Sequence, residues 1–100
     1  MNKVSVYILE CSDGTFYTGS TNSLQKRLEE HALGLGSIYT KDRLPIKLVF
    51  CEGYSRIDEA FAREKQIQGW SRAKKIAVIQ QRYQDLPKLS TSKNKDIAKD

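Results

Sequence analysis

A chain of 100 residues has room for one domain and one modest core. Seventeen Lys and Arg against twelve Asp and Glu leave a net charge of +5, which favours a polyanionic partner such as nucleic acid but also suits plain solubility. No apolar run reaches membrane-spanning length, no leader precedes the first strand-like segment, and Cys11 and Cys51 have no metal-ligand spacing with the single His31, so a soluble cytoplasmic chain with free thiols is expected.

Val4 to Leu9 is rich in β-formers, with Val4, Val6 and Ile8 on one face. Ser12-Asp13-Gly14 signals a turn into a second strand beginning at Thr15. A two-residue turn would send Tyr7 and Tyr17 to opposite faces. A three-residue loop with left-handed Gly14 pairs Cys11 with Thr15, opposes Tyr7 to Gly19, and puts both phenols on one face. The second register is expected, because it alone gathers Val4, Val6, Ile8 and Phe16 on the other face as a core.

Asn22, with Gln25 three residues on, reads as a helix N-cap. Leu24, Leu28 and Leu35 make an apolar stripe that Gly34 or Gly36 ends, and Arg27 and His31 are an i,i+4 pair at its edge. Ser37 to Pro45 reads as a polar loop, and Ile46 to Tyr54 as a third strand. Ser55 and Asp58 form another capping pattern, ahead of a helix expected to bury Ile57, Ala60, Phe61 and Ile67. Gly69 interrupts it, and Ser71 caps a last helix with Ile76, Ile79 and Tyr83 at helical spacing. The pattern is β-β-α-β-α-α, an α+β domain over residues 1–83 with a small antiparallel sheet flanked by helices. Residues 84–100 are polar and lysine-rich and read as a disordered basic tail.

Glu64 is the most specific clue to chemistry. It lies at i+4 from Ala60 and i+3 from Phe61, on the apolar side of its helix, where a carboxylate is costly without a partner. A structural ion pair with Arg27 or Arg63 is one reading; a metal ligand at the rim of the core is the other. The metal reading is preferred because the remaining groups converge with it. One carboxylate suits Mg²⁺, which keeps several waters and borrows phosphate oxygens, and does not suit a two-metal centre. Arg27 offers a planar fork to a phosphate, against a surface role beside Glu30. His31 titrates near neutrality and is able to accept a proton. Tyr7 or Tyr17 becomes a base only if a cation lowers its pKa or His31 takes its proton onward; otherwise the phenols orient water and phosphate. Lys41, Arg43, Arg63, Lys65, Arg72, Lys74, Lys75 and Arg82 add a positive bias that suits a phosphate backbone and a solvated face equally; Tyr39 and Trp70 are candidate stacking surfaces, with packing at the Gly69 break the preferred reading for Trp70.

Together these residues resemble the GIY-YIG nuclease superfamily, in particular its small single-domain bacterial branch. Val6-Tyr7-Ile8 matches the first half of the motif, and Tyr17-Thr18-Gly19 the second. Arg27 and His31 match the helix motif, and Glu64 the metal-binding glutamate. The resemblance covers residues 3 to about 83. It implies a three-stranded antiparallel sheet and Mg²⁺-dependent (or Mn²⁺-dependent) hydrolysis of DNA phosphodiesters. The implied roles are Arg27 on the phosphate, Glu64 on the metal, and Tyr17 or Tyr7 as base or water-positioner with His31 assisting. The chain has Val6 and Thr18 where the motif names other residues, and Ser20 where the nucleotide-excision members carry lysine. A downstream asparagine used by several larger members has only Asn94 as a counterpart. The expected function is a DNA endonuclease or exonuclease in DNA repair or in processing branched, flapped or single-stranded DNA. A protein partner for targeting is allowed, because the chain carries no separate DNA-targeting domain. The alternative is a non-catalytic or partner-dependent nucleic-acid-binding module on the same fold.

Overall fold

The computed structural model describes residues 4–81. The expected domain limit at residue 83, the tail 84–100, Arg82, Tyr83 and Asn94 lie outside the described residues. Two compact units divide the chain after Lys65.

The first unit is built on strands β1 (Val4–Glu10), β2 (Phe16–Thr21) and β3 (Lys47–Tyr54), an antiparallel sheet in the order β2-β1-β3. The hairpin adopts the three-residue loop. Cys11 N–H donates to the Thr15 carbonyl at 2.8 Å, Gly14 takes φ +83°, and Tyr7 stands opposite Gly19. That positive φ is why glycine occupies the position. Asp13 Oδ1 accepts from both the Thr15 amide (3.1 Å) and its hydroxyl (2.6 Å), fixing the turn.

The aliphatic face formed by Val4, Val6 and Ile8 is buried, as expected, but so is the opposite face at Tyr7 and Leu9. Both faces are covered because helices lie on each. Helix α1 (Leu24–Ala32) bonds to Tyr7 on one side. Helix α3 (Ile57–Gln68) bonds to Ser20 and Glu52 on the other, the two residues that flank Val6.

Several local expectations need correction. Helix α1 starts after Ser23 rather than Asn22, and Thr21 Oγ1 receives the Ser23 amide at 3.0 Å. Its C-terminus closes as a Schellman turn: Gly34, at φ +80°, donates to His31 O (3.0 Å) and Leu35 donates to Glu30 O (2.8 Å). That turn swings Leu35 out of the apolar stripe to 74 % exposure. The expected loop at 37–45 contains a one-turn helix, α2 (Ile38–Lys41), capped by Ser37, whose hydroxyl accepts the Thr40 amide at 3.0 Å.

Helix α3 buries Ala60 but leaves Ile57 and Phe61 exposed, contrary to the periodicity. The reason is that α3 turns Ala60, Arg63 and Glu64 toward the sheet. Arg63 Nε pairs with Glu52 Oε1 at 2.9 Å, Ser20 holds Glu64, and Phe61 falls on the outer side, where the Lys65 ammonium lies 4.9 Å from its ring. In the second unit α4 (Arg72–Ile79) is capped by the Ser71 hydroxyl, as expected, and buries Ala77 and Val78.

Candidate active site

Tyr7, at the centre of the middle strand, is 1 % exposed, and its hydroxyl lies 3.0 Å from His31 Nε2. His31 is fully buried, and its other nitrogen, Nδ1, lies 2.9 Å from Thr40 Oγ1 on α2. Tyr17 is half-buried beside both, with its ring centroid 6.5 Å from that of Tyr7 and 5.2 Å from the imidazole. The two phenols therefore share one face of the sheet, as the hairpin register requires.

Two glycines let this cluster close. A Cβ on Gly19 would come within 2.6 Å of the Tyr7 oxygen, and one on Gly36 would collide with the His31 ring. Arg27 is anchored here too. One guanidinium nitrogen donates to Gly36 O at 2.8 Å, and the other donates to Glu30 Oε1 at 3.2 Å. The guanidinium is near enough to influence the ionisation of Tyr7.

Burial pushes the Tyr7 phenol above its ordinary pKa, and the Arg27 hydrogen bond offsets only part of that rise. Burial, helped by the neighbouring Arg27 charge, holds His31 below its usual range, so the imidazole is neutral near pH 7. The bond to Tyr7 is the main cause that raises the Arg27 pKa, which keeps its charge fixed.

Glu64 approaches from the other side of the sheet. Ser20 follows Gly19 on edge strand β2, and its hydroxyl donates to Glu64 Oε1 at 2.6 Å. The Glu64 charge is one of the influences that raise the Tyr7 pKa. An open groove of about 400 Å³ is lined by Ser20, Thr21, Asn22, Ser23, Lys26, Arg27 and Glu30. Its wall thus holds the residue that bonds to Glu64 and the residue that bonds to Gly36 beside His31.

No group of three or more His, Cys, Asp and Glu that would chelate a metal occurs among the described residues. The side-chain oxygens lining the groove are the Glu30 carboxylate, the Asn22 amide and hydroxyls, and Glu64 is bonded to one of those hydroxyls, that of Ser20. That set fits a hard divalent cation that keeps most of its own water and takes phosphate oxygens.

Four residues escaped the sequence reading as site components: Ser20, Gly36, Tyr39 in its observed role, and Thr40. Tyr39 was expected to offer a stacking surface. Its ring is stacked on Tyr17 (centroids 6.2 Å, 26°) and carries the Arg43 guanidinium 3.9 Å from its centroid. Arg43 is in turn held by Asp13 Oδ2 at 3.0 Å and Tyr39 O at 2.8 Å. Trp70 likewise carries the Lys74 ammonium at 4.8 Å. The Ser37 and Thr40 pair was the only available sequence signal for α2.

Residues 3–77 match the family model described as the GIY-YIG catalytic domain, and so most of the chain is covered. The chain belongs to the GIY-YIG family. It carries a GIY-YIG nuclease-type domain, the fold of a superfamily of phosphodiester hydrolases. A UPF0213 protein of Syntrophus aciditrophicus is 50 % identical over 82 residues, covering 81 % of this chain and 94 % of that protein. A UPF0213 protein of Halobacterium salinarum is 47 % identical over 74 residues, covering 74 % and 96 %. The solution structure of a UPF0213 protein from Bacillus halodurans is 39 % identical and superposes with a TM-score of 0.54, covering 92 % of this chain and all of that one. The GIY-YIG chain thus groups with UPF0213 proteins of bacteria and an archaeon. Among its described residues no helix is long and apolar enough to cross a membrane.

Proposed function

We propose that the chain is a DNA nuclease that requires Mg²⁺ or Mn²⁺ and cuts branched, flapped or single-stranded DNA during repair or processing. The observation that carries this is the shared groove: Ser20 ties it to Glu64, and Arg27 ties it to Gly36, which packs against His31. A DNA phosphate lies in that groove against Arg27, whose fixed charge stabilises the extra negative charge that develops at phosphorus. Glu64, held by Ser20, is the cation ligand, and a divalent ion there supplies Lewis-acid charge to the phosphate oxygens.

Tyr17 is the phenol open to a water, since Tyr7 is sealed. Tyr17 orients the water, the water oxygen attacks phosphorus, one P–O bond breaks, and the water's proton ends on the leaving oxygen, which gives a phosphate end and a hydroxyl end. Tyr7 and His31 act behind Tyr17 as the buried pair that holds the face in shape. Free thiols at Cys11 and Cys51 suit a reducing compartment, so we place the enzyme in the cytoplasm.

A second reading, a module that needs a partner to cut, is favoured by one observation. Arg27 already commits two of its five N–H donors to Glu30 and Gly36, which leaves fewer to grip a phosphate. The test is cleavage of forked and single-stranded DNA by the purified chain with Mg²⁺ or Mn²⁺. Cutting that Glu64→Gln abolishes, with salt-sensitive DNA binding retained, supports the nuclease. Binding without cutting in the unaltered protein supports the second reading. Undiminished cutting by Glu64→Gln overturns the metal-ligand assignment.

A further inference from the structure

Thr40 is a polar residue with no exposure at all, on a one-turn helix that the nuclease roles above do not use. Its hydroxyl oxygen has three neighbours: His31 Nδ1 at 2.9 Å, Ser37 Oγ at 2.9 Å and Ser37 O at 3.4 Å. A buried hydroxyl has one hydrogen to give, so the direction of each bond is constrained.

The direction is set from the far end of the chain of bonds. The Tyr7 hydroxyl is sealed from solvent and lies against an imidazole nitrogen. The phenol carries a hydrogen and turns it to His31 Nε2, 3.0 Å away. A neutral imidazole accepting at Nε2 carries its proton on Nδ1. That N–H points at Thr40 Oγ1, and Thr40 passes its own hydrogen to Ser37. The donors run in one sense, from Tyr7 to His31, from His31 to Thr40 and from Thr40 to Ser37, with the imidazole acting as acceptor on one side and donor on the other. Gly36 closes the remaining side, since a Cβ there would meet the ring.

We infer that Thr40 is a positioning residue for His31: its hydroxyl holds the imidazole in the Nδ1–H tautomer and keeps the Nε2 lone pair on the Tyr7 phenol. The role of the pair in cleavage rests on the nuclease reading, but the tautomer does not. Placing a histidine's reactive nitrogen through a partner on the other nitrogen is a general device, and removal of such a partner typically costs about 10–100-fold in activity where it has been measured at metal-bound histidines.

His31 is the only histidine in the chain, so its ring nitrogens give an unambiguous ¹⁵N signal. The experiment compares the full chain with Thr40→Val, which keeps the volume and loses the hydroxyl, and Thr40→Ser, which keeps the hydroxyl. The Nδ1–H tautomer is expected in the unaltered protein and in Thr40→Ser, and its loss or mixing with Nε2–H in Thr40→Val. Cleavage of single-stranded DNA should fall about 10–100-fold in Thr40→Val and recover in Thr40→Ser. An Nε2–H tautomer in the unaltered protein overturns the inference, as does an unchanged tautomer in folded Thr40→Val. If Thr40→Val fails to fold, the tautomer of the unaltered protein decides alone. A protein that cuts no DNA but shows the expected tautomers overturns the nuclease reading and leaves Thr40 as the residue that sets the imidazole.

Discussion

The backbone of Gly36 packs against the imidazole of His31 so closely that a methyl group at position 36 would overlap the ring. The same residue offers its carbonyl to Arg27 at 2.8 Å. Neither contact depends on a positive φ; the demand is for space. Gly36→Ala should therefore destabilise the fold by about 1–3 kcal/mol, the usual range for forcing extra volume into a packed site. It should also shift the single imidazole resonance. Urea unfolding and the His31 spectrum check this together. Unchanged stability with an unchanged resonance would mean that the turn after α1 gives way freely.

Ser20 and Glu64 provide a second prediction. The 2.6 Å bond fixes one carboxylate oxygen and so sets the direction of the other. Ser20→Ala should raise the Mg²⁺ concentration needed for half-maximal cleavage about 10–100-fold, as loss of a partner behind a ligand does elsewhere. Cleavage at saturating Mg²⁺ should be affected less. A fall in the maximal rate with no change in the Mg²⁺ requirement would place the Ser20 hydroxyl on the substrate instead.

Stability should also depend on pH in a defined direction. Burial and the Arg27 charge hold the folded His31 below its unfolded value of about 6.5, so protons favour the unfolded chain. The groups facing the ring are Tyr7 from β1, Tyr17 from β2, and Arg27 and Glu30 from α1. The His31 contribution is complete above pH of about 6.5, declines as pH falls toward the folded value, and changes no further below it. Tyr7, raised by burial, acts at the other end: stability declines as pH climbs past about 10. Urea midpoints at pH 7.5 should exceed those at pH 5.5, and the His31 resonance should titrate below free histidine. Titration at or above the free value would contradict the sealed environment.

The hairpin was legible because its aliphatics alternate. Only one loop length puts Val4, Val6, Ile8 and Phe16 on one side, and that register carried Tyr7 and Tyr17 to the other. Helix α2 was not legible, because four residues including Ile38 and Thr40 have no helical period and little propensity; tertiary bonds to His31 and Tyr17 hold it. The spacing of Ile57 and Phe61 suggested a buried stripe. Burial on α3 was instead decided by what the sheet presented, and Glu52 and Ser20 drew Arg63 and Glu64 inward. Thr40 itself gave no signal, since a threonine in a loop looks like any other until its neighbours are known.

Both nitrogens of His31 are occupied by hydroxyl partners inside the fold. An ion with a taste for imidazole would have to strip away Tyr7 or Thr40 before it gained a nitrogen. One content with carboxylate, hydroxyl and water has no such barrier to cross. The chain's only aromatic nitrogen base is therefore withheld from soft and borderline metals by the residues that aim it.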